Sequence, residues 1–222
     1  MCGRYGLTAT AEEYVELFGA FPEKEGSKWQ SWGEHYDIRP TQTVPIVTNE
    51  TGTPQITFSR WGFSPSWAKN TLINTRWEGA FTSKLWRKPT LEKRCLVPAS
   101  YFYEWQKVEN KTQPWMIELL KKNLFSMAGV FSLENDGKNS YRKVFSILTI
   151  EANEKLRTIH NSGKNPHRQP VILDSQYYKD WLDPTLIDQE NIQKLVHRIE
   201  SNDIKVTPLK KIGNDITHEK PF

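Results

Sequence analysis

Five segments rich in aromatic and β-branched residues follow one another through the middle of this 222-residue chain. Such side chains suit the pleated, half-buried surface of a sheet. Because only short polar stretches separate them, the segments indicate a many-stranded sheet rather than alternating strands and helices. These predicted strands cover residues 95–98, 101–106, 115–120, 124–131 and 142–150.

Signals on either side of this run complete the predicted order of elements. Thr10 and Glu13 have the spacing of a capping box, which predicts the start of a helix. Polar stretches indicate loops over 20–43 and 161–168, and turns at 49–52, 61–67 and 135–138. Further strands are predicted over 44–48, 55–60, 170–173 and 204–207. Helices are predicted over 10–19, 152–159, 177–182 and 188–200, with another opening at 74–78.

No internal repeat, low-complexity tract or obvious linker divides the chain. A length of 222 residues suits one large domain or two small ones. We expect a single α+β domain over residues 1–222, in which mixed, mostly antiparallel sheets form a barrel-like core with helices at the periphery.

Composition restricts the setting of the protein. Two cysteines, Cys2 and Cys95, and no secretory segment indicate a reducing, cytoplasmic setting without disulfide bonds. No apolar run reaches the roughly 20 residues of a membrane span, and neither a CxxC nor an HExxH zinc spacing is present. We therefore expect no membrane, metal or other cofactor. The net charge of +4 permits an anionic partner without requiring one.

Tryptophan is unusually abundant, with nine residues in the chain, and several lie beside basic residues. Examples are Arg60-Trp61 and Arg76-Trp77. Aromatic faces stack on unpaired bases while Lys and Arg contact phosphates, so this interleaving is typical of proteins that bind single-stranded nucleic acid. The alternative is that tryptophans fill the core, which we expect for more than half of them.

The second residue is a cysteine, and removal of Met1 would make it the N-terminus. Cys2 would then carry an α-amine that titrates near pH ~8 beside a thiol that titrates near pH ~8.5. Such an aminothiol condenses with an aldehyde: the amine forms an imine, and the thiol closes onto the imine carbon to give a thiazolidine ring. An internal cysteine cannot do this. The alternative is a chance cysteine with ordinary removal of the initiator methionine.

Three further segments could supply polar chemistry, and each has an alternative interpretation. Glu104 stands between aromatic residues in a predicted strand. Its carboxylate either faces solvent or occupies a partly apolar pocket that raises its pKa and suits it to proton transfer. His160 follows a predicted helix, where histidines cap and pack as well as catalyse. The third segment begins at Asn74, and no segment is specific when taken alone.

Taken together and in order, these segments resemble the SOS-response-associated peptidase family, whose members crosslink to abasic sites in DNA. The agreement of many short motifs in one order is more specific than any single motif, and it spans residues 1 to about 180. The matching pieces are Met1-Cys2-Gly3-Arg4, Pro40-Thr41-Gln42, Trp61-Gly62-Phe63-Ser64-Pro65-Ser66-Trp67, Asn74-Thr75-Arg76-Trp77-Glu78, Arg94-Cys95-Leu96-Val97-Pro98, Tyr103-Glu104-Trp105, Leu148-Thr149 with Ala152-Asn153, Ile159-His160 and Arg168-Gln169-Pro170-Val171-Ile172-Leu173.

The resemblance implies the family fold and a protein of the DNA-damage response. It implies that Met1 is removed by the protein itself and that Cys2 forms a thiazolidine with the C1′ aldehyde of an abasic site in single-stranded DNA. Asn74 would hold the amine or thiol of Cys2, Glu104 would be the general acid and base, and His160 would assist ring opening and crosslink reversal. Residues implied to contact DNA are Arg4, Pro40, Trp67, Arg76, Trp105, Thr149 and Arg168. We expect a monomer that associates with the nucleoid after damage.

The chain departs from the family pattern at several positions. Tyr101 stands where the family usually has glycine, so a positive φ there would strain the backbone. Residues 161–167 interrupt the family's His-x-Arg-Met-Pro motif, and Gln169 replaces its methionine. Because of this interruption, His167 rivals His160 as the functional histidine.

Two other functions fit the same residues. Cys2 could be the nucleophile of an N-terminal hydrolase, with its own amine acting as the base. The chain could also be a module that recognises single-stranded or modified DNA without bonding to it.

Overall fold

The fold is described from a computed structural model, which describes residues 2–22, 32–135 and 140–210. Within these ranges the strands are β1 (Tyr5–Leu7), β2 (Phe21–Pro22), β3 (His35–Ile38), β4 (Thr43–Thr48), β5 (Gln55–Trp61), β6 (Asn74–Arg76), β7 (Arg94–Ala99), β8 (Tyr101–Val108), β9 (Lys111–Leu119), β10 (Phe125–Asn135), β11 (Tyr141–Glu151), β12 (Arg168–Pro170), β13 (Ile172–Leu173) and β14 (Ile204–Pro208). The α-helices are α1 (Ala11–Phe18), α2 (Arg87–Glu92), α3 (Glu154–Ile159), α4 (Tyr178–Leu182) and α5 (Gln189–Lys194). None of these helices has the length and hydrophobicity needed to cross a membrane.

The larger sheet closes on itself into a barrel. Strands β5, β4, β7, β10 and β11 pair in that order through antiparallel ladders. A parallel pairing of β11 with β5 completes the ring, with Val144 beside Arg60 and Phe145 beside Trp61. Closure leaves these five strands with neighbours on both sides, which removes the exposed edges that open sheets must protect. Four short strands pair with strands of this ring: β2 with β5, β6 and β12 with β11, and β13 with β10.

A second, antiparallel sheet has the strand order β14-β9-β8-β1-β3. Its central strand β8 contains Glu104, and the neighbouring strand β1 begins three residues after Cys2. The two sheets enclose a core whose largest fully buried side chains include Trp61, Trp181 and Phe102. Burying a large apolar side chain stabilises the fold by roughly 1.5–3 kcal/mol, so this core fixes how the small sheet sits on the barrel.

The structure confirms the predicted fold class and most of the predicted elements. Helix α1 is capped as expected, with the Glu13 backbone N–H donating to Thr10 Oγ1 at 3.2 Å and the Thr10 N–H donating to Glu13 Oε2 at 2.8 Å. The five central strands lie where their side chains predicted them, and each is longer than predicted by two or more residues. The predicted hairpin turn at 135–138 falls mainly outside the described residues, although β10 and β11 pair as far as Asn135 and Tyr141.

The prediction of a loop over 20–43 is wrong at its ends. Strand β2 pairs with β5, and β3 pairs with β1. In β3, Tyr36 and Ile38 are buried while His35 and Asp37 are partly exposed. This alternation is present in the sequence and was obscured by the surrounding polar residues. The stretch 23–31 lies outside the described residues.

Two helix predictions also need correction. Residues 74–76 form the strand β6, which pairs in parallel with β11, and only 77–79 make a short 3-10 turn. Thr75 is buried in that strand, with its hydroxyl 2.9 Å from Ser146 Oγ. The last helix ends at Lys194 rather than at residue 200. The chain beyond it turns toward α3, where the Ile199 carbonyl accepts from Asn153 Nδ2 at 3.0 Å.

Eight tryptophans lie in the described ranges, and most of them belong to the core. Trp61 and Trp181 are fully buried, whereas Trp67 is 69% exposed. The others are partly buried and pack against the buried clusters; they are Trp32, Trp77, Trp86, Trp105 and Trp115. Trp67 is therefore the tryptophan whose rings are most accessible to a stacking partner.

The Tyr101 ring packs directly over Gly6, where β1 lies against β8. A Cβ atom on Gly6 would come within 2.2–2.4 Å of three atoms of that ring. The Tyr101 hydroxyl donates to the Tyr36 carbonyl at 3.2 Å, which holds the ring in place. Tyr101 itself has no positive φ. The tyrosine is thus accommodated without backbone strain because glycine occupies the facing strand.

We predict that Gly6→Ala destabilises the fold by about 1–3 kcal/mol, since the added methyl group overpacks the β1–β8 contact. The measurement is the midpoint of urea unfolding. Gly33→Ala is the matched control, because a Cβ there meets nothing within 4 Å. In a Tyr101→Ala background the same glycine substitution should cost less, because the ring that it overpacks is gone, and equal stability of Gly6→Ala and wild type would contradict the prediction.

Candidate functional site

Cys2 lies at the junction of the two sheets, held from both sides. On the small sheet, the Tyr103 backbone N–H donates to the Arg4 carbonyl at 2.9 Å, which continues the β1–β8 ladder toward the N-terminus. From the barrel, Asn74 Nδ2 donates to the Cys2 carbonyl at 2.9 Å. The backbone of Cys2 is therefore fixed, as a covalent reaction at this residue requires.

Asn74 owes its position to the parallel pairing of β6 with β11. It lies opposite Ile147, and the Ile147 N–H donates to the Ile73 carbonyl at 3.1 Å. Its amide uses Nδ2 for Cys2, while Oδ1 is buried and has no hydrogen-bond partner among the described residues. A buried acceptor of this kind can take a hydrogen bond from a newly formed group nearby.

Glu104 and Cys2 form a buried pair of weak acids. Glu104 is 2% exposed, and burial raises the pKa of its carboxyl to about 7. Burial also raises the pKa of the Cys2 thiol far above its usual value, and the nearby charge of Glu104 raises it further. At neutral pH the thiol is protonated, while the carboxyl exchanges readily between its two forms.

His160 completes this group at the end of α3. Its Nε2 lies 3.9 Å from Glu104 Oε2. Its Nδ1 lies 3.1 Å from both the backbone nitrogen and the carbonyl oxygen of Arg168, which fixes the ring with Nε2 toward the carboxyl. Burial lowers the pKa of His160 to about 4, so the ring is neutral at pH 7. His167 instead contacts the Arg157 carbonyl at 3.0 Å and has a positive φ of 61°.

Two of the predicted DNA-contacting arginines are paired with carboxylates. Arg4 Nε donates to Asp37 Oδ1 at 2.6 Å, Arg39 pairs with the same carboxylate, and the Arg4 guanidinium lies 5.7 Å from the Trp105 ring centre. Arg168 makes a two-pronged contact with Glu78, with both distances 2.7 Å. The pairing offsets the charge of Arg168, whereas Arg4 and Arg39 share one carboxylate and keep a net positive charge.

The remaining predicted DNA contacts are spread over different environments. Arg76 is exposed, and its Nη2 donates to Asn165 Oδ1 at 2.6 Å. Pro40 is half-buried, in a turn whose next residue, Thr41, has a φ of 73°. Thr149 is fully buried and donates its hydroxyl to the Thr75 carbonyl at 3.4 Å. Its side chain therefore has no surface in this conformation with which to line a DNA strand.

Sequence reasoning missed three residues that shape this region: Asp37, Glu78 and Asn165. Asp37 lies in an alternating strand pattern, and that pattern places it on the face opposite the buried Tyr36 and Ile38, where a carboxylate can pair with a nearby cation. Glu78 ends the motif that begins at Asn74, but the motif alone does not indicate that its carboxylate pairs with an arginine. Asn165 lies in a polar loop with no distinguishing signal. In the part of the chain that is described, no three His, Cys, Asp or Glu side chains cluster as metal ligands would.

The fold and sequence both have relatives. A crystal structure of a Bacteroides thetaiotaomicron protein superposes with a TM-score of 0.83 over 99% of this chain and 96% of that one, at 24% identity. The abasic site processing protein YoqW of Bacillus subtilis is 30% identical over 230 residues, which cover 100% of this chain and 97% of that protein. The abasic site processing protein YedK of Escherichia coli is 26% identical, over 82% of this chain and 79% of its own length.

The sequence model of one family covers nearly the whole chain. It is described as SOS response associated peptidase (SRAP), and it matches residues 1–215. The match includes every segment that forms the group around Cys2. This chain belongs to the SOS response associated peptidase family.

Proposed function

We propose that this protein processes abasic sites in single-stranded DNA by forming a covalent thiazolidine crosslink through Cys2 after release of Met1. One observation carries the proposal: Cys2 is held by Asn74 at 2.9 Å beside the buried carboxyl of Glu104. The names of the relatives YoqW and YedK support the choice of an abasic site as the substrate.

Release of Met1 is the first step of the proposal. Water adds to the Met1 carbonyl carbon, the Met1–Cys2 peptide bond breaks, and free methionine leaves. The carboxylate form of Glu104 takes a proton from the water, and the carboxylic acid form returns it to the departing Cys2 nitrogen. A carboxyl with a pKa of about 7 serves both roles at neutral pH. Met1 itself lies outside the described residues.

The crosslink forms in two further steps. The Cys2 amine adds to the C1′ aldehyde, and Glu104 donates the proton with which the resulting hydroxyl leaves as water. The proton of the nitrogen then returns to the Glu104 carboxylate, giving an imine. The thiol then adds to the imine carbon, and its proton passes through Glu104 to the imine nitrogen. The net reaction joins the aminothiol and the aldehyde with loss of one water. Neutral His160, beside Glu104, can accept the sugar hydroxyl proton during ring opening.

Non-covalent contacts bring the DNA to this group. Arg76 and the Arg4–Arg39 pair supply positive charge for phosphates, and exposed Trp67 and half-buried Trp105 offer aromatic faces to unpaired bases. We assign Arg168 a supporting part, because its guanidinium is paired with Glu78. The protein acts as a monomer in the cytoplasm, associating with the nucleoid after damage.

We predict that the wild type forms a band with abasic single-stranded DNA that survives denaturing electrophoresis, and that Cys2→Ala abolishes it. Cys95→Ala is the matched control and should keep the band, because this second cysteine is buried in barrel strand β7. Unchanged DNA binding with no band in any variant would favour the binding module. Retention of amide-bond hydrolysis by Cys2→Ser without a DNA adduct would favour the hydrolase.

We predict that Glu104→Gln slows crosslinking by roughly 10²-fold or more while leaving the dissociation constant for DNA nearly unchanged. The ratio of wild-type to Glu104→Gln rates should be largest below pH 7. It should fall as pH rises through about 7, because the carboxyl then loses the proton that it donates. Single-turnover rates from quenched gels measure both effects, and a ratio independent of pH would exclude Glu104 as the acid.

We predict that His160→Ala slows crosslink formation and reversal, whereas His167→Asn leaves both rates within about twofold. Only His160 lies near Glu104, and asparagine tolerates the positive φ at position 167. Rates are followed on the same gels, with release after transfer to aldehyde-free buffer reporting reversal. A larger effect from His167→Asn would reverse the assignment of the two histidines.

A further inference from the structure

The loop over residues 161–167 connects the two walls of the Cys2 site. At one end, Asn161 makes two hydrogen bonds with the backbone of Lys107 on β8, accepting from its N–H at 2.8 Å and donating to its carbonyl at 2.9 Å. Near the other end, Asn165 Oδ1 accepts from Arg76 on β6 at 2.6 Å. The loop thus joins the strand that carries Glu104 to the strand that carries Asn74.

The arginines around this site differ in what neutralises them. Arg4 and Arg39 pair with Asp37, and Arg168 pairs with Glu78. Arg76 has no carboxylate within 4 Å among the described residues, and its guanidinium donates to the neutral amide of Asn165. One hydrogen bond to an amide oxygen orients the guanidinium and leaves its full charge and its remaining N–H groups available.

A cavity of about 580 Å³ lies beside this contact. It is lined by Arg76, Glu78, Gly79, Glu151, Pro166, His167 and Arg168. Both carboxylates in this lining are paired: Glu78 with Arg168 at 2.7 Å, and Glu151 with Arg157 at 2.7 Å. The charge of Arg76 helps to lower the pKa of Glu78, but both short contacts of that carboxylate are with Arg168. Arg76 therefore keeps the N–H groups with which the cavity can receive an anionic group.

We propose that Asn165 is a positioning residue, which holds the Arg76 guanidinium in the orientation that receives a DNA phosphate. The proposal rests on the proposed function, since it takes DNA as the ligand, and it adds a residue from the loop that interrupts the family motif. An amide suits this task better than a carboxylate, which would hold the guanidinium equally well but cancel its charge. An alanine would keep the charge but release the guanidinium to its many rotamers.

The test compares equilibrium binding of a short, fluorescently labelled single-stranded oligodeoxynucleotide without an abasic site. All proteins carry Cys2→Ala, so that covalent trapping does not contribute, and anisotropy is measured across a range of salt concentrations. Asn165→Ala should weaken binding about 3- to 10-fold, as for a lost hydrogen bond, with an unchanged salt slope. Asn165→Asp should lower the magnitude of the slope by about 0.7, as neutralising one phosphate contact with a single strand would.

The double-variant cycle decides between positioning and direct contact. In an Arg76→Ala background, Asn165→Ala should weaken binding no further, because the residue that it orients is gone. Equal loss in both backgrounds, tighter binding by Asn165→Ala, or no loss from Arg76→Ala would each overturn the proposal. Asn202→Ala is the matched control, since this exposed asparagine lies in the separate turn 201–203.

The cycle remains informative if the crosslink itself fails. It reads phosphate binding in proteins that lack Cys2, whereas the covalent band depends on Cys2. If no crosslinked band forms but Asn165→Ala has no effect in the Arg76→Ala background, the covalent chemistry is refuted and the positioning role of Asn165 stands. If the band forms but Asn165→Ala weakens binding equally in both backgrounds, the covalent chemistry stands and the positioning role is refuted.

Discussion

The hydrogen bond from Asn74 to the Cys2 carbonyl is the contact on which the site depends, because it ties the residue that leads into the small sheet to a strand added to the barrel. Asn74 belongs to a strand added to the closed barrel, and Cys2 leads into the second sheet. Apolar packing is non-directional and sets only approximate distances. A directional hydrogen bond of 2.9 Å instead fixes where the Cys2 carbonyl lies.

Burial gives the groups at this junction their chemistry. The same removal of water raises the pKa of the Glu104 carboxyl and lowers that of the His160 imidazole. Near neutral pH the imidazole is therefore uncharged, and the carboxyl is present in both its protonated and its ionised form. The arginines around this junction pair with carboxylates, Arg4 and Arg39 with Asp37 and Arg168 with Glu78. Under the proposed function, this arrangement separates a proton-transferring interior from an anion-attracting rim.

The sequence predicted the long central strands well and the short strands that pair with them poorly. Segments of six or more residues with aromatic and β-branched side chains, such as β10 and β11, were identified because their pattern is local. Strand β6 was missed because three residues carry no period, and its conformation comes from its parallel partner β11. In β3, Tyr36 and Ile38 alternate with polar residues, but four residues between polar stretches are too short a pattern to distinguish a strand from a loop.

The candidate site was reached through the family resemblance rather than through local pattern. Cys2, Asn74 and Glu104 are far apart in the chain, and only tertiary structure shows that they meet. Asn165 carried no signal of any kind, since its contact with Arg76 depends on how the loop crosses from β8 to β6. The pairing of Arg168 with Glu78 was equally invisible, although both residues lay in recognised motifs.

Strand β1 is the first of the described strands to be made, and of its two partners β3 follows early while β8 follows late. Tyr5 pairs with Phe102, so the nascent chain must extend by roughly another hundred residues before this ladder can form. Until then Cys2 has neither Glu104 nor its buried environment, and its backbone lacks the β8 ladder. Under the proposed function, the carboxyl partner and the burial on which Cys2 depends are therefore available only in a molecule whose later strands are already in place.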